Sequence, residues 1–177
     1  NNYVVGLEES YGCLAGTHAR DKDACVAVMC LCEVAAYCKK HGMTLWDMML
    51  QMYEKYGYFK ETQYTITMKG VSGAKEIEAL MEKLRSNPPK SIGDARVLKF
   101  RDYQENKVVD METGAVSETG LPKSNVLYFE LPDNCWCCAR PSGTEPKIKF
   151  YMGVVGSSLE DAQARVEKLT EDLKAIL

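Results

Sequence analysis

The sequence predicts an α+β protein, and three observations carry that expectation. Apolar spacing is helical up to residue 57 and alternates with a period of two just beyond it. After residue 60 the order reads strand, helix, three strands, a strand-end loop leading into a last strand, and helix. Two helices on one face of such a sheet make an α+β layer, not a regular βαβ succession.

Each element has its own signature. Tyr3-Val4-Val5 reads as a strand at the very start of the chain, as in an excised or processed piece of a longer polypeptide. Residues 24–41 carry Val26, Met29, Cys30, Val34, Tyr37 and Cys38 at helical spacing, and Gly42 is placed to stop that helix. Thr44 is an N-cap for the next helix, with Asp47 three residues on. Its stripe runs through Leu45, Met48, Met49, Met52, Tyr53 and Tyr56 and ends before Gly57. Methionines at this spacing suit a partner surface as well as a core; core packing is the expectation here.

Tyr64, Ile66 and Met68 alternate with Thr65 and Thr67, as in a strand with one buried face. Gly70 and Gly73 punctuate it. Ala74, Ile77, Leu80, Met81 and Leu84 mark a helix closed by Asn87-Pro88-Pro89. A strand is expected at 96–103, then a polar, irregular loop at 104–123 that contains Gly114, Gly120 and Pro122. Strands at 125–131 and 135–140 are joined by a Pro132-Asp133-Asn134 turn. The last strand turns Ile148, Phe150, Met152 and Val154 one way and Lys147, Lys149 and Tyr151 the other. The final helix opens with Ser157-Ser158 and Glu160/Asp161, and its stripe is Leu159, Ala162, Val166, Leu169 and Leu173.

Bulk properties exclude several classes. The 177 residues have room for one full domain and part of another. A net charge of −3 argues against a general nucleic-acid binder. No apolar run approaches the roughly 20 residues needed to span a bilayer, so no membrane partner is expected. The eight cysteines read as free, small core residues in a reducing cytoplasm. Cys135 and Cys138 have C-x-x-C spacing, but on a strand they would point to opposite faces, and no second pair completes a metal site. His18 and His41 read as an exposed loop residue and a helix-end cation, not as catalysts.

The most informative segment is Arg140-Pro141-Ser142-Gly143-Thr144-Glu145-Pro146-Lys147-Ile148-Lys149-Phe150-Tyr151. Glycine lets backbone N–H groups turn toward one point, Ser142 and Thr144 add hydroxyl donors, and Arg140 offers a planar fork matched to phosphate. The chemistry alone is equally compatible with a Ser-Gly hairpin turn beside solvated charges. A second segment, Gly6-Leu7-Glu8-Glu9-Ser10-Tyr11-Gly12, sets a carboxylate and a hydroxyl in a glycine-bounded loop, suited to vicinal hydroxyls or to an acidic turn. In a third, Arg20-Asp21-Lys22-Asp23, either aspartate could cap the following helix, with Lys22 solvated.

Taken together and in this order, the three segments resemble the C-terminal phosphate-binding loop, the sugar-specificity loop and the charged element after it in the α-D-phosphohexomutases. That superfamily comprises the phosphoglucomutases and phosphomannomutases. The intervening chain resembles the bacterial phosphoglucomutase branch. The resemblance implies that residues 1–57 are the end of an α/β third domain, and that its missing strands leave apolar faces exposed. It implies that residues 58–177 are a TATA-binding-protein-like fourth domain. It further implies that Glu8 and Ser10 contact O3 and O4 of a hexose, and that Lys22 acts on the transferring phosphate or a sugar hydroxyl, electrostatically or as a proton shuttle. Arg20 is a weaker candidate for the same cleft. Arg140, Ser142, Gly143, Thr144 and Lys149 clamp the phosphate that is not transferred, with Glu145 orienting Arg140 or Lys147.

The implied parent interconverts glucose 1-phosphate and glucose 6-phosphate through a phosphoserine and a glucose 1,6-bisphosphate intermediate, with Mg²⁺. The family's T-x-S-H-N-P-like serine loop and D-G-D-x-D-R metal loop do not occur in these residues. The chain is therefore expected to need the remaining domains of its polypeptide, to hold no metal, and to be inactive alone. Phosphomannomutase and phosphopentomutase are alternatives within the superfamily. A stand-alone phosphosugar-binding module is the alternative of another class.

Overall fold

The computed structural model describes residues 3–8, 12–68 and 72–177. The chain divides into two compact units, Asn1–Tyr56 and Gly57–Leu177.

In the first unit, strands β1 (Val5–Leu7) and β2 (Cys13–Ala15) form an antiparallel hairpin with Gly6 opposite Leu14. Cys13, expected in a loop, lies on β2. Helix α1 (Ala24–Lys40) starts at Asp23, whose carboxylate accepts from the Cys25 and Val26 N–H groups. It ends at His41, followed by Gly42 at φ 67°. Helix α2 (Leu45–Tyr56) opens on the expected reciprocal cap: Asp47 N–H donates to Thr44 Oγ1, and Thr44 N–H donates to Asp47. The two helices meet where the Cys38 thiol lies 3.7 Å from the Met48 sulfur. Cys38 is the one buried residue of α1, and α2 has none.

The expected core packing of the α2 stripe is not met. Leu45, Met49, Met52 and Tyr56 are exposed, as are Val28, Met29 and Leu31 on α1. An amphipathic helix buries its stripe only when a second apolar surface faces it, and within Asn1–Tyr56 these two helices offer each other a narrow contact.

The second unit is built on a seven-stranded antiparallel sheet. Its strands are β3 (Tyr58–Thr67), β6 (Lys99–Asp102), β7 (Lys107–Asp110), β8 (Val116–Ser117), β9 (Leu127–Glu130), β10 (Trp136–Pro141) and β11 (Lys147–Gly156). Their spatial order is β3-β11-β10-β9-β6-β7-β8. A separate hairpin joins β4 (Ser91–Ile92) to β5 (Ala95–Arg96). Helices α3 (Gly73–Ser86) and α4 (Leu159–Ile176) supply Ile77, Met81 and Leu84, and Val166, Leu169 and Leu173, to one core with Phe100, Leu127, Phe129, Phe150 and Met152. β11 alternates as expected, with Ile148, Phe150 and Met152 buried and Lys147, Lys149 and Tyr151 half-buried. The α+β expectation, an antiparallel sheet with helices on one face, is therefore met.

Two expectations need correction. Residues 104–123 are not wholly irregular: β6 and β7 form a hairpin whose turn ends at Asn106 (φ 54°), and β8 pairs with β7. These strands are too short and too polar for alternation to reveal them. The strand expected at 96–103 is broken after Arg96, where Val97 turns into the core, and resumes at Lys99. The Asp133-Asn134 turn is tight, with both residues at φ 58°, as a two-residue hairpin requires.

Candidate functional site

The residues singled out in the sequence form two groups, one in each unit. In the first unit, the β1–β2 hairpin closes with Glu8 N–H donating to Gly12 C=O at 2.8 Å. Glu8 leaves the hairpin toward Lys22, whose ammonium lies 3.4 Å from Glu8 Oε1 and 2.9 Å from Asp21 Oδ1. The space for this approach is made by Gly12. A methyl group there would stand 2.7 Å from Lys22 Cγ and 3.0 Å from Glu8 Oε2.

Asp21 first and Glu8 second hold the Lys22 pKa above its ordinary value, so Lys22 is a cation at neutral pH. That favours an electrostatic role, or proton donation, over a free base. The two aspartates divide their work. Asp23 caps α1 and also meets His18 Nε2 at 3.0 Å, while Asp21 pairs with Lys22. His18 thus has a local structural partner. Arg20 is exposed and lines a shallow depression with Tyr3, Leu14 and Thr17; no described bond ties it to Lys22. Ser10 lies outside the described residues.

In the second unit, β10 runs directly into the loop 142–146 and β11 returns from it. Register sets Arg140 opposite Lys149. Two cations across a strand pair repel, an arrangement that a bound anion would relieve. The Lys149 ammonium lies over the Tyr151 ring, 5.9 Å from its centroid, while Lys147 is bound to Glu145 at 3.0 Å. Glu145 therefore neutralises Lys147, one of its two expected roles.

The loop amides converge on one atom. Thr144 N–H and Glu145 N–H both donate to Ser142 Oγ, at 3.4 and 3.3 Å. These bonds are long, so either amide could exchange them for an anionic oxygen at little cost. Gly143 corrects the sequence reasoning. Its φ is not in the left-handed region, and a Cβ there would meet nothing within 4 Å. What Gly143 contributes is open space over the amides, not a special backbone conformation. The strand beneath is apolar enough that burial pushes the Cys138 thiol up to about 11, although Arg140 pulls the other way.

Sequence reasoning missed Asp21 as the partner of Lys22 and Gly12 as the residue that admits it. A glycine next to a charged loop was the available signal for the second. Among the described residues, no three His, Cys, Asp or Glu side chains stand together as a metal site would require. No described helix is long and apolar enough to cross a membrane.

The chain is similar to several known proteins. The family described as phosphoglucomutase/phosphomannomutase, alpha/beta/alpha domain III, matches residues 1–56. A phosphoglucomutase of Staphylococcus aureus (strain bovine RF122 / ET3-1) is 36% identical over 168 residues, 95% of this chain and 30% of the relative. That of strain N315 is 35% identical over the same length. Among solved structures, the Paramecium phosphoprotein pp63/parafusin, a phosphoglucomutase in its open form, aligns with 94% of this chain and 29% of its own. Its TM-score is 0.55 at 16% identity, a likeness of fold. The chain spans about 30% of the length of the curated relatives it matches. Residues 1–56 thus match a phosphoglucomutase/phosphomannomutase domain and 95% of the chain is similar to phosphoglucomutases, which supports its place in the phosphohexomutase superfamily.

Proposed function

We propose that this chain supplies the sugar-recognition and distal-phosphate loops of a phosphoglucomutase that interconverts glucose 1-phosphate and glucose 6-phosphate. One observation carries this reading above the others: Arg140 and Lys149 stand directly opposite each other at the root of a loop whose amides converge on a single point. Two cations on neighbouring strands at that point suit a phosphate dianion. Residues 1–57 are then the end of the third domain and 58–177 the fourth.

In this reading Arg140 and Lys149 neutralise the phosphate that is not transferred, and Ser142, Thr144 and the loop amides orient its oxygens. Glu8, with Ser10, accepts the O3 and O4 hydroxyls. Lys22, held protonated by Asp21 and Glu8, stabilises charge on the reacting oxygens or donates a proton to them. The phosphoserine, and the Mg²⁺ that would offset charge on the transferring phosphoryl group, are assigned to the rest of a longer polypeptide. The isolated chain is then a binder without turnover.

The test follows backbone amide shifts during titration of glucose 1-phosphate and glucose 1,6-bisphosphate, with and without Mg²⁺. Shifts centred on 142–145, indifferent to Mg²⁺ and lost in Arg140→Ala, are expected. Mutase turnover by the purified chain would overturn the division of labour. Identical shifts in Arg140→Ala would overturn the phosphate clamp.

A further inference from the structure

A hydrogen-bond relay at the same end of the sheet adds a residue to this loop. Asp102 is the one charged side chain buried among the described residues, at 2% exposure. It is satisfied from two sides: Arg85 Nε donates to Oδ2 at 2.9 Å, and the Gln104 and Glu105 N–H groups donate to Oδ1. Pinned in this way, the guanidinium directs Nη2 to Asn125 Oδ1 at 2.8 Å and to Gln104 Oε1 at 3.2 Å.

Arginine can only donate, so the oxygen of the Asn125 amide must face it. Nδ2, with two N–H donors, is the amide atom left over, and none of the described hydrogen bonds occupies it. Asn125 lines one groove with Ser142, Gly143 and Thr144, and α3 borders that groove through Ile77 and Glu78. Strand register explains the proximity. Leu127 is opposite Ala139, so two residues further on Asn125 reaches the same end of the sheet as Pro141, where the loop begins. The Glu78 carboxylate on the α3 side would keep an anion toward the loop and the amide.

We propose that Asn125 is a phosphate-binding residue of this loop, and that Arg85, itself held by Asp102, is its positioning residue. The inference rests on the phosphate-clamp reading and deepens it. The amide adds a neutral donor on the helix side of the loop, opposite in sheet face to the Arg140 and Lys149 cations.

Binding and scaffolding roles predict opposite orders of damage. Asn125→Asp keeps an acceptor for Arg85 but turns the donor toward phosphate into a second carboxylate oxygen. Asn125→Ala removes both groups. A purely structural Asn125 would make the alanine variant the worse one. A phosphate ligand makes the aspartate variant the worse one, by about 10-fold in affinity or more, with an unchanged melting temperature.

The experiment titrates inorganic phosphate and glucose 1-phosphate into the full chain and its variants at fixed ionic strength, following the amides of 142–145. Arg85→Lys keeps a charge beside Asp102 but loses the fork. It should weaken binding as much as Asn125→Ala, and the double variant should be no worse than either. If Asn125→Asp binds as tightly as the parent while Arg140→Ala does not bind, the assignment of Asn125 is overturned and the clamp stands. If Arg140→Ala binds like the parent, or the parent does not respond to phosphate, clamp and inference fall together.

Discussion

The two units share helices of similar quality and differ in what those helices have to lie on. In Gly57–Leu177, α3 and α4 cover one face of a broad antiparallel sheet, and Phe129, Phe150 and Met152 are sealed beneath them. In Asn1–Tyr56, α1 and α2 are correctly capped and patterned, yet Met29 is 64% exposed, Trp46 55% and Met52 49%. Caps and periodicity decide whether a segment is a helix. Burial is decided by whether a second surface is present, and that is a property of tertiary structure.

The strongest way to break this comparison is to cut the same chemistry out of each unit. Phe150→Ala removes a fully buried ring and should cost about 3–5 kcal/mol. Met52→Ala, at a half-exposed helix site, should stay within about 0.5 kcal/mol. Urea unfolding followed by residue-resolved hydrogen exchange reads both. Equal losses would mean that the α2 stripe is buried in solution, by self-association for example.

A somewhat smaller effect sharpens the picture of the second unit. Asp102→Ala leaves Arg85 without its buried partner and should cost roughly 3 kcal/mol. That is the low end for a broken buried pair, because Arg85 keeps Gln104 and Asn125 as acceptors. A loss below about 1 kcal/mol would show that Arg85 turns out to solvent and that the relay is not rigid.

Much of this architecture was legible, and the gaps have physical causes. The Thr44–Asp47 cap and the β11 alternation could be read because each is local, encoded within a few residues. β7 and β8 could not, since Lys107-Val108-Val109-Asp110 gains its strand character from pairing with β6. Asp102 shares a strand face with Phe100, and its partner Arg85 is 17 residues away. The loop 142–146 was legible as a cluster of donors. The face-to-face placement of Arg140 and Lys149 required the register, and the pairing of Lys22 with Asp21 and Glu8 required the folded hairpin.

The smallest expected effect concerns acid. Asp161 opens α4, and its carboxyl is held below the usual 3.8 first by the Ser157 N–H, then by the Ser157 hydroxyl and later by Arg165. Asp47 opens α2 and is lowered in the same direction by the N–H and hydroxyl of Thr44. For a group whose folded pKa lies below its unfolded one, the stabilisation is present above the unfolded value and is lost as pH falls through the folded value. Asp161→Asn should therefore lower the melting temperature of Gly57–Leu177 at about pH 5, and the gap to the parent should close as pH falls toward about 2. Asp47→Asn should produce the same closing gap in the helical signal of Asn1–Tyr56. Circular dichroism melts across that range separate the outcomes. A gap that does not change with pH would mean that the carboxylates act by shape and not by charge. A gap in one unit alone would mean that a cap contributes to stability only where its helix has a sheet to rest on.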